Sequence, residues 1–326
     1  MVSATTDYLF ARSFSALPVM VFAAQRAFLS GIGNTRAILQ AAIWANLANA
    51  LADWVLIYGK FGAPALGVQG AGYATSICSF VMVLAGTWTI HRGRYDTEYA
   101  LRIAAPDLSV IKRIFRLGVP FSLHLAVEIG GFTVAALFAG RLGDMSLGAH
   151  QVAMTLASTT FMVPLGISAA ASVRVAQCIG AQKPDDAALA AKVAMIMGVS
   201  FMLVSATTFV LVPEVLAGIF VEKAALVAAA ASLVQIAGLF QVSDAIQVIS
   251  GGCFRGTGDT RTPFIMNLLA HWGIGIPLGY WLAFVQGWGV AGLWWALIVA
   301  LSVVGLSLWV LFLKGGWRQR GLINVE

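Results

Sequence analysis

Long runs of apolar residues, separated by short polar turns, make up most of the chain. A hydrocarbon core about 30 Å thick needs about 20 mostly apolar residues per helix, and the runs are long enough to meet that requirement. They are apolar on all sides, whereas the strands of a membrane barrel alternate apolar and polar residues over short segments. The pattern therefore predicts an all-α, polytopic membrane protein. Its nine predicted spans are residues 8–30, 36–58, 69–91, 114–139, 147–172, 190–212, 227–251, 263–286 and 289–313.

The composition excludes the soluble classes of protein. Of the 326 residues, 60% are hydrophobic and only 10% are charged, and the mean hydropathy is +0.86. A soluble domain carries about 25% charged residues, so this chain has too few to cover a soluble body. A net charge of +6 suits the cytoplasmic loops of a membrane protein, so we expect the lipid bilayer as partner, and no nucleic acid. Three widely separated cysteines offer neither a disulfide framework nor a metal site.

The basic residues are distributed unevenly between the two sides of the predicted membrane. One side holds sixteen of the Lys and Arg side chains, and the other holds four: Arg12, Lys60, Arg141 and Lys223. Cytoplasmic loops of membrane proteins carry the excess of Lys and Arg. We therefore expect a multi-pass protein of the inner (plasma) membrane, with a cytoplasmic C-terminus and with the N-terminus of this chain outside.

Two segments of the chain repeat each other. Residues Phe28–Arg36 align with Cys253–Arg261 at a shift of 225, and both lie where one predicted helix leads into the next. A second match follows at a shift of 222 and pairs Gly67, Gly70 and Ala74 with Gly289, Gly292 and Ala296. Parallel repeats of this kind are typical of two-lobed transporters, whose substrate site lies between the lobes.

The repeat divides the chain into unequal lobes. The motif at residue 253 has 141 residues of its lobe before it, whereas the motif at residue 28 has only 27. The difference is enough for three helices with their loops, so we expect the chain to hold nine of twelve helices. The expected parts are an incomplete N-terminal lobe of three helices at 1–91, a cytoplasmic linker at 92–113, and a C-terminal lobe of six helices at 114–326.

Several motifs follow one another in a fixed order: Gly31–Arg36, Tyr58–Gly67, Gly140–Gly180, Phe240–Gln247, Gly256–Pro263 and Gly275–Tyr280. Together they resemble the multidrug and toxic compound extrusion (MATE) family, in its NorM-type branch, without the first three helices of that family. The resemblance implies secondary active efflux, in which organic cations or amphipathic compounds leave the cell by antiport against Na⁺ or H⁺. It also implies that the protein is no enzyme and needs no cofactor besides the coupling ion.

Three carboxylates lie well inside predicted spans: Asp53, Glu128 and Asp244. A charge at the bilayer centre costs about 2.5–3.5 kcal/mol, so intramembrane carboxylates are functional candidates. The alternative is a protonated carboxyl group that is hydrogen-bonded into helix packing. In a low-dielectric environment such a group either holds a proton or binds a hard cation through its oxygens.

The neighbours of two of these acids extend the candidate site. Glu128 shares a helix face with His124, and Asp244 is flanked on its own face by Gln241 and Gln247. The family resemblance implies that Glu128 and Asp244 form the cation or proton site of the C-terminal lobe. If the coupling ion is Na⁺, these two carboxylates are its expected ligands, and together with a Gln amide they supply some of the several oxygen donors that Na⁺ needs.

Further polar residues are candidates for a second site and for the cavity wall. The resemblance implies that Asn49 belongs to the polar site of the N-terminal lobe, in which Asp53 replaces an amide. Hydrogen bonding between helices is the alternative use of both side chains. His124, Gln241, Gln247, His271 and Tyr280 are candidates for lining the cavity, and helix packing is the alternative for both histidines.

Two other classes of function are compatible with the sequence. One is a lipid-linked oligosaccharide flippase of a related two-lobed fold, which should have a strongly cationic cavity. The other is a truncated, non-transporting remnant, or a part that needs a partner chain or a missing N-terminal segment to supply three helices.

The charge distribution makes a prediction about topology. A reporter fused to the C-terminus should be cytoplasmic. A cysteine introduced by Gly62→Cys or Gly287→Cys should react with a membrane-impermeant label from outside, because both loops lie on the side with only four basic residues. Labelling of either cysteine from the cytoplasm would reverse the assigned orientation.

Overall fold

The computed structural model describes residues 2–62, 64–99 and 107–317, and the chain divides into two compact units, Met1–Pro106 and Asp107–Glu326. Unit 1 contains α1 (Val2–Ser13), α2 (Ala16–Gly31), α3 (Thr35–Tyr58), α4 (Val68–Arg92) and α5 (Tyr95–Glu98). Unit 2 contains α6 (Leu108–Arg141), α7 (Asp144–Gly180), α8 (Pro184–Leu211), α9 (Pro213–Gly218), α10 (Ala224–Gly256), α11 (Arg261–Val285) and α12 (Gly289–Leu313).

Two parts of the expected organisation fall on residues that the structure leaves undescribed. Residues 100–106 of the expected linker, and the C-terminus at 318–326, lie outside the described ranges. The C-terminal end of the expected linker is helical from Leu108 onwards, because α6 begins there and not at residue 114. Asp107 caps this helix by accepting hydrogen bonds from the Ser109 backbone N–H at 2.8 Å and from the Ser109 hydroxyl at 2.7 Å. The same bonds hold the pKa of Asp107 below its ordinary value.

The predicted membrane spans are confirmed, except that the first is not one continuous helix. Eight described helices are long and apolar enough to cross a membrane, and a ninth span is a bent pair, Thr5–Ser13 with Ala16–Gly31, at an angle of 46°. The break falls just before Pro18, which lacks an N–H and whose ring is incompatible with a regular turn before it. At the break the Ser15 hydroxyl donates to the Arg12 carbonyl at 2.6 Å.

The repeated motifs form the same turn in both units. Asn34 accepts a hydrogen bond from the Ala37 backbone N–H at 3.3 Å, and Asp259 accepts one from the Thr262 N–H at 3.0 Å. The two side chains thus cap α3 and α11 at the same position, three residues before the donor. The glycine before each cap is in the left-handed region, with φ of +80° in both. The Gly-x-Gly motifs are therefore turns between helices.

Helix α10 lies at the centre of unit 2 and packs against α7, α8 and α12. Its last two turns approach α7 closely through glycine. A Cβ atom added to Gly256 would lie 2.6 Å from the carbonyl oxygen of Ser172, and one added to Gly252 would overlap Ser168. Small residues at such contacts let membrane helices pack backbone against backbone. The end of α10 that carries several polar side chains is therefore held rigidly.

Helix α11 widens where it passes His271. Its segments Leu269–Gly275 and Trp281–Val285 are π-helical, and the Ile276 N–H donates to the carbonyl five residues earlier, on His271. Pro277 follows directly and has no N–H for a regular bond. Single π-helical turns often occur at functional sites, because they redirect side chains out of the regular helical register.

The close approach of α7 and α10 predicts the response to small substitutions. Gly252→Ala and Gly256→Ala should each destabilise the protein by about 1–3 kcal/mol, because the added methyl group meets backbone that cannot move. Gly166→Ala on α7 is the matched control, since no atom lies within 4 Å of the added Cβ. The measurement is the thermal unfolding midpoint in detergent. Equal midpoints for all three variants would show that the close packing is not required.

Candidate functional site

Glu128 on α6 is held between a histidine of its own helix and an amide of α10. The Gln247 Nε2 donates a hydrogen bond to Glu128 Oε1 at 3.4 Å. His124, one turn before Glu128, places its Nε2 3.6 Å from Glu128 Oε2. The side chains of His124 and Glu128 are only 7% and 14% exposed. The structure thus brings together three of the residues that the sequence predicts for the site.

Asp244 joins this group from α10, one turn before Gln247. It is 4% exposed and lies near enough to Glu128 for the two charges to interact. Two ionised carboxylates in a low-dielectric interior repel each other strongly, so such a pair is stabilised by a proton or cation that it shares. The pairing of Glu128 with Asp244, 116 positions further along the sequence, is the central feature of the site.

The amide side chains around the carboxyl pair have oxygen atoms that are free to bind a cation. Gln247 Oε1 and both polar atoms of Gln241 are buried without a hydrogen-bond partner among the described residues. Carboxylate and amide oxygens are ligands that hard cations prefer. Among the described residues, no three His, Cys, Asp or Glu side chains are arranged so that they could hold a metal ion together. The donor set of Glu128, Asp244, Gln241 and Gln247 therefore suits a proton or a hard monovalent ion.

Arg255, at the C-terminal end of α10, is a residue of the site that was not among the candidates predicted from the sequence. Its Nη2 donates to the Ser168 hydroxyl on α7 at 2.9 Å, and its guanidinium lies 5.1 Å from the ring centre of Phe121 on α6. The guanidinium also interacts electrostatically with Glu128. A positive charge within unit 2 therefore acts on the carboxyl group of Glu128.

Helical periodicity could have identified Arg255. Asp244, Gln247, Gly251 and Arg255 are spaced at i, i+3, i+7 and i+11, and so they share one face of α10. Long side chains on a helix point back towards its N-terminus. Gly251 leaves room for this, since the Arg255 Nη1 would lie 3.6 Å from a Cβ added there. The sequence signal that indicates Arg255 is this helical spacing, together with a glycine beside the path of its side chain.

The remaining candidates of unit 2 lie in two different places. His271 is buried on the widened turn of α11, with its Nδ1 3.3 Å from the Asn267 carbonyl oxygen and its ring against Phe132. It lines a cavity of about 20 Å³, which has room for about one water molecule. Tyr280 is 49% exposed, and its ring packs on Phe138 and Phe284.

The candidates of unit 1 lie on α3. Asn49 and Asp53 are half-buried, and Asp53 is close enough to Cys78 of α4 for the two groups to interact electrostatically. Asn46, one turn earlier, is exposed and bonds to the Ala42 carbonyl of its own helix at 2.8 Å. Unit 1 therefore presents a partly exposed polar stripe on a helix that is otherwise apolar.

The fold and the intramembrane carboxyl pair define a polytopic α-helical membrane protein. The family model MatE matches residues 120–281 of the chain. The multidrug resistance protein NorM of Burkholderia vietnamiensis is 40% identical over 295 residues, a match that covers 89% of this chain and 64% of that protein. A probable multidrug resistance protein NorM of Pseudomonas putida is 35% identical over 317 residues and covers 95% and 68%, respectively. The chain belongs to the MATE family.

Solved structures agree with this assignment at the level of the fold. The crystal structure of the eukaryotic MATE transporter AtDTX14 matches with a TM-score of 0.89 at 21% identity, over 96% of this chain and 70% of that one. A MATE structure in the straight conformation matches with a TM-score of 0.87 at 18% identity. The relatives are transport proteins and not enzymes. The chain spans 64% and 61% of the length of two NorM relatives from Burkholderia species.

Proposed function

We propose that the chain forms the larger part of a secondary active exporter, which moves organic cations or amphipathic compounds out of the cell by antiport against Na⁺ or H⁺. Two observations support the proposal. NorM relatives at 35–40% identity are named multidrug resistance proteins. Glu128 and Asp244, held with Gln247 inside unit 2, form an acidic site where a charge is costly unless an ion or proton accompanies it. The second observation carries the proposal.

In this mechanism the coupling ion is a substrate of the carboxyl pair. Glu128 and Asp244 bind Na⁺ or a proton while the site is open to one side, and the ion offsets their mutual repulsion. The unpartnered amide oxygens of Gln241 and Gln247 supply further ligands for Na⁺. His124 contacts Glu128 and can take or donate a proton in the H⁺-coupled form. Export follows when the coupling ion and the organic cation bind preferentially to opposite open states of the protein.

The export unit that we propose has twelve helices, of which this chain supplies nine. The chain spans only 64% and 61% of the length of two NorM relatives, which supports an export unit larger than this chain alone. The further helices come from an N-terminal segment or from a partner chain, and they complete the polar site of Asn49 and Asp53. We propose that the assembly lies in the inner membrane, with the C-terminus of the chain in the cytoplasm.

A lipid-linked oligosaccharide flippase is less well supported. Such a protein needs a strongly cationic cavity to hold a phosphate-linked sugar. In the described part of unit 2, the charge of Arg255 is accompanied by the two carboxyl groups of Glu128 and Asp244, so the site is not cationic overall. The NorM names of the relatives also favour drug export.

The first test concerns completeness. Cells that express the chain alone should show little or no drug resistance, whereas a chain extended at its N-terminus by the first three helices of a NorM relative should restore it, because Asn49 and Asp53 then have partners. The measurement is the minimal inhibitory concentration of a cationic dye, with both proteins quantified in the membrane. Full resistance from the nine-helix chain would contradict the twelve-helix proposal and also exclude a non-transporting remnant.

The second test concerns coupling. In the extended chain, Glu128→Gln and Asp244→Asn keep size and hydrogen bonding but remove the charge. Each should lower ion-driven dye efflux at least about tenfold, the loss of about 1.4 kcal/mol of differential ion binding. The dependence on Na⁺ or pH should shift as well. Asp144→Asn, at an exposed carboxylate of α7, is the control and should leave efflux unchanged. Parental efflux with unchanged ion dependence in both acidic-site variants would make the carboxylates structural.

A further inference from the structure

The guanidinium of Arg255 is fixed by contacts to two other helices. Ser168 of α7 is fully buried, and its hydroxyl donates to the Val248 carbonyl of α10 at 2.6 Å. The same oxygen accepts the bond from Arg255 Nη2 at 2.9 Å. The guanidinium also lies over the ring of Phe121 on α6, with 5.1 Å between the ring centre and Cζ. A hydroxyl with both of its bonds in use, together with a ring face, leaves Arg255 little freedom to turn away.

This position gives a permanent positive charge to the interior of unit 2. Arginine keeps its proton at any physiological pH, so its charge is constant while its neighbours bind or release ions. A buried cation is costly unless an opposite charge offsets it, and Glu128 is the carboxylate that interacts with Arg255. The other titratable groups in this region are Cys253 and Asp244 on α10, His124 on α6 and His271 on α11.

We infer that Arg255 is a positioning residue that acts as a tethered counter-charge for the coupling site. When the coupling site holds no ion, the guanidinium of Arg255 offsets the negative charge of Glu128. An incoming cation must compete with this attraction. Arg255 therefore weakens cation binding and stabilises the ion-free state of the site. Arg255 thereby allows the ion to leave, a step that an antiporter needs in every cycle. The inference rests on the proposed function, because it assigns the coupling ion to the Glu128–Asp244 pair.

The first experiment measures cation affinity on the purified chain in detergent, as the rise of the thermal unfolding midpoint with Na⁺ concentration. Arg255→Gln should lower the half-saturating Na⁺ concentration by about tenfold, the effect expected from removing one nearby positive charge. Arg255→Lys keeps the charge and should restore an affinity close to the parental value. Arg261→Gln removes an exposed arginine six positions away and is the matched control. If the parental midpoint responds to Na⁺, weaker or unchanged Na⁺ binding in Arg255→Gln would overturn the inference.

A second experiment does not depend on which ion is coupled. The thermal midpoints of the parent, Arg255→Gln, Glu128→Gln and the double variant are compared without Na⁺, at a pH where carboxylates are ionised. Arg255→Gln should lower the midpoint in the parent and change it much less when residue 128 is Gln, because the charge that it offsets is then gone. Additive changes would show that Arg255 does not act on Glu128 and would overturn the inference.

The two experiments also separate this inference from the proposed function. A non-additive cycle with no response of the parental midpoint to Na⁺ would support Arg255 as the counter-charge and point to the proton as the coupling ion. A non-additive cycle with normal efflux in the Glu128→Gln and Asp244→Asn variants would overturn the proposed function, while the electrostatic role of Arg255 would stand.

Discussion

Negative charge buried among apolar helices is the constraint on which the structure of unit 2 depends. Glu128 and Asp244 lie in helices long and apolar enough to cross a membrane, where a charged side chain costs about 2.5–3.5 kcal/mol. The surrounding side chains reduce that cost: Gln247 donates to Glu128, His124 lies beside it, and Arg255 interacts with it through the opposite charge. The negative charge that these neighbours do not offset is available to bind an ion.

The packing of the helices serves the same site. Because Gly252 and Gly256 bring α10 against the backbone of α7, the hydroxyl of Ser168 reaches both the Val248 carbonyl and Arg255. The two helices thereby hold the guanidinium at a fixed level in the unit. Rigid placement matters, since a tethered charge on a mobile side chain would turn towards water and would no longer act on Glu128.

The internal repeat places the same turn between helices in both units. Asn34 and Asp259 cap their helices in the same register, with a left-handed glycine before each cap. The acids within the spans do not follow the repeat in the same way, because unit 1 offers Asp53 with Asn49 where unit 2 offers a pair of acids on two helices. The same scaffold therefore supports polar groups of different composition in its two halves.

The number of spans, the turns between them and the identity of the buried acids follow from the sequence by itself, because apolar length, caps and glycine act within a few residues of the chain. Glu128, Asp244, His124 and Gln247 were thus all predicted, and they lie together. The break before Pro18, the start of α6 at Leu108 and the inward path of Arg255 were not predicted. The first two depend on small energy differences between local alternatives. The path of Arg255 was decided by the tertiary structure, because a long cationic side chain at a helix end turns to solvent unless distant partners, here Ser168 and Phe121, bind it inside.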